Sequence, residues 1–235
     1  MPSFECSDQP GTIPIRDAAC LILVDHSQSE PRLLMGRRLA SQVFLPNKWV
    51  FPGGRVDEGD HALAAVMAET GSARNLHASQ APFALAAIRE LFEEAGVVLG
   101  CRARDAQAVA MEGAWQPFAM SGLTPACNVL MPLARAITPP GFERRFDTWF
   151  FIADRRHADA QIYAPDGELL DLGWFTMAQV RGLDLPYITR LIVDDVASWL
   201  QNEPPDLQPY IPFYFQAVEG YRRTLFDASG PVLAP

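Results

Sequence analysis

The chain has 235 residues, 49% hydrophobic and 20% charged, enough to bury a full core as one domain with elaborations rather than two. A formal net charge of −9 excludes the basic stripe of a nucleic-acid surface, and no apolar run approaches the roughly 20 residues of a membrane span. Cys6, Cys20, Cys101 and Cys127 are too widely spaced for a zinc knuckle and form no Cys-x-x-Cys, as expected of reduced thiols in a cytoplasmic protein.

Residues 1–14 contain three prolines and little periodicity, with Asp and Glu where a signal peptide needs positive charge, and read as an N-terminal arm. The apolar run 18–24, the turn cluster 25–31 and the stretch 32–37 read as a hairpin. Residues 48–54 begin as a strand and break at Pro52-Gly53-Gly54, where glycines allow a tight turn and an exposed carbonyl.

Residues 82–95 predict a helix. At about 100° per residue, Glu90, Glu93 and Glu94 fall in one narrow arc, while Leu85, Ile88, Leu91, Phe92 and Ala95 lie on the other side. Gly96 ends it as a C′ glycine. Like charges at this spacing cost a helix a few tenths of a kcal/mol per pair, and Arg89 alone does not balance three acids. A hard divalent cation does, since Mg²⁺ takes oxygen ligands. The other reading of Glu-x-x-Glu-Glu by itself is a solvated face.

Beyond the helix, Val97 and Val98 begin an apolar exit, and residues 104–120 have helical spacing with Val109, Trp115 and Phe118 available for a core or lid. Strands are expected over 128–137 and 145–152, joined by the turn 138–141. Phe150 suits a β core, whereas Arg144, Arg145 and Asp147 need a salt bridge or a substrate contact. Residues 168–175 read as a further strand. Residues 184–200 read as a closing helix with Pro186 near its start, Ile188, Leu191, Ile192 and Val196 inward, and Thr189, Arg190 and Asp194 outward. Tyr210, Phe213, Tyr214 and Phe215 then bind a ligand, cover a dimer face or pack as a structural tail. The expected organisation is a domain over 15–202 and a Pro/aromatic-rich extension over 203–235 packed on it; the closing Val-Leu-Ala-Pro is not a peroxisomal address.

Arg89-Glu90-Leu91-x-Glu93-Glu94-x-Gly96-Val97 resembles, position for position, the second half of the Nudix box, and Gly54, preceded by Phe51-Pro52-Gly53, resembles its first half. Two departures stand out. The family has Glu six residues after the glycine, where this chain has Asp60, and then seven residues before the Arg, where residues 61–88 number 28, an excess of 21. The box is split by an Ala-rich, polar insertion at about 61–81 that opens with a helical run and reads as an excursion before the helix. Asp60 is one methylene shorter than the family's Glu, so its reach to Arg89 is in question. An interruption at this place, and the Arg-Arg-Phe-Asp-Thr run at 144–148, resemble the coenzyme A diphosphatase-like, peroxisomal-type branch of the family.

The resemblance implies an α/β fold, a three-layer α/β/α sandwich around a mixed β-sheet, and Mg²⁺- or Mn²⁺-dependent hydrolysis of a diphosphate bond. It implies Glu93 and Glu94 as primary metal ligands and Glu90 as a further ligand or the base. Arg89 would orient the carboxylates, and the carbonyl of Gly54 would join the metal shell. Glu90, Glu94 and Arg89 are the expected catalytic set. Arg37, Arg38 and Arg145 are candidate substrate contacts, with solvation as the bland alternative for Arg37 and Arg38 and a salt bridge for Arg145, and Glu168 and Asp171 are acids either near the metals or in a solvated loop. The expected substrate is coenzyme A or acyl-CoA, with ADP-ribose or NADH as the alternative. A nucleotide sensor that binds without cutting is the non-enzymatic alternative; such proteins usually lose helix carboxylates, and all three remain here. The expected partner is a small nucleotide, with no nucleic acid, no membrane and a homodimer.

Overall fold

The computed structural model describes residues 13–70, 76–102, 111–159, 163–202, 210–217 and 220–227. Along the chain lie β1 (Ile15–Asp25), β2 (Arg32–Arg38), β3 (Trp49–Val50), β4 (Gly53–Arg55), α1 (Glu58–Thr70) and α2 (Ala81–Ala95). The short β5 (Gly100–Cys101), α3 (Gln116–Ala119) and β6 (Thr124–Pro125) follow, then β7 (Met131–Ile137) and β8 (Arg145–Asp154). Next come β9 (Leu169–Thr176), α4 (Met177–Arg181), α5 (Tyr187–Gln201), β10 (Tyr210–Ala217) and β11 (Gly220–Asp227).

β1 is the central strand. Leu21, Ile22, Leu23 and Val24 are all fully buried, the continuous apolar run of a strand covered on both faces. It pairs in parallel with β8 and antiparallel with β2 and β4, within a mixed sheet ordered β11-β10-β7-β8-β1-β2-β3, with β9 on β2. Alternation along β1 sends Leu21 and Leu23 to one core, with α1 and α2, and Ile22 and Val24 to another, with α4 and α5. The expected three layers follow from that two-sided burial.

The hairpin over β1 and β2 forms as expected, closing at Asp25 opposite Arg32. Elsewhere the structure departs from the sequence reading. The chain does not simply turn at Pro52-Gly53-Gly54: Gly53–Arg55 is itself a strand against Ala18, Ala19 and Cys20. A Cβ on Gly53 would lie 2.4 Å from the Ala19 carbonyl oxygen and 2.6 Å from the Cys20 Cα, so close backbone approach is what requires glycine here.

The split of the box is helical. α1 packs Leu63, Ala64 and Met67 into the α2 core, so its apolar positions are part of the fold rather than an external excursion. Residues 71–75 of the insertion and 1–12 of the arm lie outside the described residues. Of the helix expected over 104–120, residues 103–110 lie outside the description, and the rest contains only a 3₁₀ turn and the four-residue α3, whose Trp115 and Phe118 are buried as expected. β7 starts three residues later than expected, because Cys127–Val129 forms a 3₁₀ turn.

The described part of the C-terminal extension does more than pack on the domain: β10 joins β7 in parallel and β11 closes an antiparallel hairpin at the sheet edge. Its anchor is Arg135 on β7. The Arg135 Nε donates to the Asp147 Oδ1 at 2.8 Å, and its guanidinium lies 5.0 Å from the ring centres of both Phe213 and Phe226. Asp147 thus takes the salt-bridge role.

Candidate active site

α2 forms where periodicity places it. Pro82 stands in its first turn, and Gly96, at φ +68, ends it in the left-handed conformation that favours glycine. Leu85, Ile88 and Leu91 are fully buried against the sheet. The opposite face is not simply solvated, for Arg89 is only 3% and Glu94 only 2% exposed. Burial of so many charges is tolerable only if they are paired and hydrogen-bonded.

Arg89 does the pairing, and all five of its N–H donors are engaged. Nε and Nη2 donate to the two oxygens of Asp60 at 3.1 and 2.9 Å. Nη1 donates to the Glu90 Oε1 and the Glu93 Oε2, each at 2.8 Å, and Nη2 also donates to the Arg55 carbonyl at 2.8 Å. Asp60 therefore reaches Arg89 despite the missing methylene. It sits in the first turn of α1, fully buried, and accepts two further bonds, from the Trp115 Nε1 at 2.9 Å and from the Asp57 N–H at 2.8 Å.

Glu94 is held differently. Its Oε2 accepts the Gly53 N–H at 2.8 Å, which ties α2 to β4. A Cβ on Gly54 would lie 2.4 Å from the Glu90 carboxyl, so the side-chain-free position at 54 makes room for that acid. Burial, reinforced by the Glu93 and Asp60 charges and opposed by Arg89, raises the Glu90 carboxyl to about 7. Burial also raises Glu93, and lifts Glu94 well above the ordinary range with the Glu90 charge adding to it and the Gly53 N–H opposing. Carboxylates this crowded ionise at neutral pH when a cation joins them.

The donor chemistry fits a hard dication. The Glu90 Oε2, Glu93 Oε1 and Glu94 Oε1 have no protein hydrogen-bond partner among the described residues, while each acid's other oxygen is held by Arg89 or Gly53. As they stand, no three His, Cys, Asp or Glu side chains among the described residues are gathered in a metal-holding arrangement: Glu90 and Glu93 lean on Arg89, and Glu94 leans on Gly53.

These acids open on a cavity of about 850 Å³ whose walls include Gly54, Arg38, Arg144, Asp166 and Glu168. Its floor is one face of β8, where Phe146, Thr148 and Phe150 alternate with Arg145, Asp147 and Trp149 on the other face. That alternation corrects one expected contact. Arg145 is not a cavity residue, and its Nε donates to the Thr138 carbonyl at 3.0 Å. Arg37 is also off the cavity, paired with Asp171 at 2.7 Å in an exposed bridge, while Arg38 lines it with its Nε on the Phe44 carbonyl at 3.0 Å. Of the two further acids, Glu168, just before β9, is at the cavity, and Asp171, within β9, is not. Sequence reasoning missed Trp115 as a partner of Asp60 and the Gly53 N–H as a partner of Glu94, because both contacts are long-range and leave no local pattern.

No family model matches the sequence. Over 158 residues the chain is 31% identical to a Caenorhabditis elegans protein provisionally named nudix hydrolase 7, an alignment covering 58% of this chain and 43% of that protein. The chain thus spans less than half the length of that relative. The fold superposes on the crystal structure of a NUDIX hydrolase from Alicyclobacillus acidocaldarius with a TM-score of 0.60 and 25% identity, covering 79% of this chain and 92% of that one. The chain has the Nudix fold. Both relatives carry the Nudix hydrolase name, which supports that family for this chain. In this chain the two halves of the split box, separated in sequence by α1, meet at the ion pair of Asp60 with Arg89.

Proposed function

We propose that the chain is a Nudix-type diphosphatase that uses Mg²⁺ or Mn²⁺ to hydrolyse a diphosphate bond in a nucleoside diphosphate linked to a second moiety. The observation that carries this reading is the clamp of Asp60, Glu90 and Glu93 around Arg89, with Glu94 fixed by Gly53, at the wall of a large cavity. Glu93 and Glu94 would hold the metal, with Glu90 as a further ligand and the Gly54 carbonyl beside them.

A bound dication supplies charge to the transferring phosphoryl group and makes a water more acidic. The chain's own part is positioning. Arg89 fixes the Glu90 and Glu93 carboxylates without entering the cavity as a free cation, since its donors are spent on them, on Asp60 and on Arg55. Glu90, raised to about 7, suits the group that takes the water proton. Arg38 and Arg144 line the same cavity and suit the phosphate oxygens.

For the substrate, we favour coenzyme A or acyl-CoA, cleaved to 3′,5′-ADP and a phosphopantetheine. The split box and the run at 144–148 support it by resemblance, and a cavity of about 850 Å³ has room for a molecule longer than a mononucleotide. The test is turnover with Mg²⁺ and with Mn²⁺ on coenzyme A, acetyl-CoA, ADP-ribose, NADH and diadenosine polyphosphates, with products identified by mass. Phosphopantetheine among the products is expected. Turnover of ADP-ribose or NADH alone would discard the coenzyme A assignment, and binding without any turnover would discard the enzyme.

A further inference from the structure

The cavity has a second end that the hydrolytic chemistry does not use. There it is walled by Leu185, Pro186, Tyr187 and Ile188 at the start of α5 and by Tyr221 on β11, over Phe150 of the floor. The C-terminal hairpin therefore contributes to the same cavity as the box. Its position is fixed from two sides. The ring of Tyr221 lies 6.0 Å from that of Tyr187 and 6.4 Å from that of Tyr214, and the Tyr214 hydroxyl donates to the Asp195 Oδ2 on α5 at 2.7 Å.

Thr189 is the exception in this apolar wall. Its polar side chain reads as outward, yet it is only 5% exposed and lines the cavity. Its hydroxyl has no hydrogen-bond partner among the described residues; the nearby Leu185 carbonyl takes the Arg190 Nε instead, at 3.3 Å. A hydroxyl that opens on the cavity and is not spent on the protein offers a ligand both a donor and an acceptor. No charged side chain stands in the Leu185–Thr189 stretch, and Lys48, which lines the same cavity, is already paired with Asp184 at 2.7 Å, so this wall is matched to an uncharged arm.

We propose that this end of the cavity receives an uncharged, largely apolar substrate arm bearing a hydrogen-bonding carbonyl or amide, and that Thr189 is the specificity-determining contact for that group. The proposal rests on the reading of the cavity as the diphosphate site and adds to it the chemistry of the second moiety. The C-terminal hairpin, through Tyr221, belongs to the recognition surface.

The test is calorimetric binding, in Mg²⁺, of α,β-methylene-bridged ADP esters carrying a methyl, an octyl or an amide-containing pantetheine arm. The wild-type chain should bind both long arms at least about tenfold more tightly than the methyl ester, as burial of several methylenes implies. Thr189→Val, close in shape, should lose about fivefold for the pantetheine arm and nothing for the octyl arm, while Thr189→Ser should keep both. Equal affinity for all three arms, or an equal loss for both long arms in Thr189→Val, would overturn the proposal. The hydrolysable diphosphates, incubated in parallel, separate the two readings: arm-dependent binding without cleavage would remove the diphosphatase and leave the arm site standing, and no binding of any ester would remove both.

Discussion

Asp60 and Arg89, 29 positions apart in sequence, meet in a two-pronged ion pair with Asp60 fully buried and Arg89 at 3% exposure. This contact rejoins the two halves of a motif that α1 interrupts. The side chain of Asp60 suffices because it springs from the first turn of α1 and because Trp115 closes over it with a hydrogen bond.

Breaking that pair leaves a buried guanidinium short of an anion. Asp60→Ala should therefore cost about 3–5 kcal/mol of stability, measured by urea unfolding. Asp60→Glu, which restores the family's residue, should cost about 1–3 kcal/mol by overpacking against Trp115. A stabilised Asp60→Glu would show that the short acid is a defect rather than a fit.

Glu93→Gln and Glu94→Gln should each lower Mg²⁺-dependent kcat by about a hundredfold or more, the scale on which preorganised electrostatic groups act. Unchanged turnover in both would remove the acidic ridge from the mechanism.

The two glycines should fail differently. Gly53→Ala drives a methyl into the backbone of β1 and should destabilise the fold by about 1–3 kcal/mol. In Gly54→Ala the obstacle is the flexible end of Glu90, so stability should change by less than about 1 kcal/mol while kcat falls about tenfold or more. Paired melting curves and initial rates distinguish them.

The metal-free protein should lose stability as pH rises from about 4.5 to about 7. Glu90 is raised from 4.5 to about 7, so over that window the folded state binds the proton that the unfolded state has released. Glu93 and Glu94 shift in the same direction, whereas the lowered carboxyl of Asp25 acts only below that window. Urea midpoints at pH 5 and pH 8 check this, and saturating Mg²⁺ should raise the midpoint at pH 8 far more than at pH 5.

Arg144→Ala should raise KM for coenzyme A severalfold, because Arg144 lines the cavity and has no ion-pair partner among the described residues. Arg145→Ala should instead cost about 1 kcal/mol of stability through its lost bond to Thr138, with KM unmoved. Steady-state kinetics and unfolding on the same preparations separate the two neighbours.

Periodicity and turn chemistry are local, and what they govern was legible in the sequence: the helix of residues 82–95 with its glycine stop, the β1–β2 hairpin, the helix after Pro186, and the grouping of Glu90, Glu93 and Glu94 on one arc. Local rules cannot say which buried neighbour a side chain meets. Strand alternation put Arg145 and Asp147 on the opposite face of β8 from Phe146 and Thr148, and only the partner strand β7, with Arg135, turned Asp147 into a structural ion pair. Thr189 was placed outward for its polar side chain, but it shares the face of α5 that carries Ile192 and Val193 and is buried with them. The sequence by itself thus determined the acidic ridge and its helix, through interactions within four residues. The tertiary structure alone decided that Asp60, Trp115 and Gly53 complete the site, because those contacts span 29, 55 and 41 positions and exist only once the sheet has brought α1, α2 and β4 together.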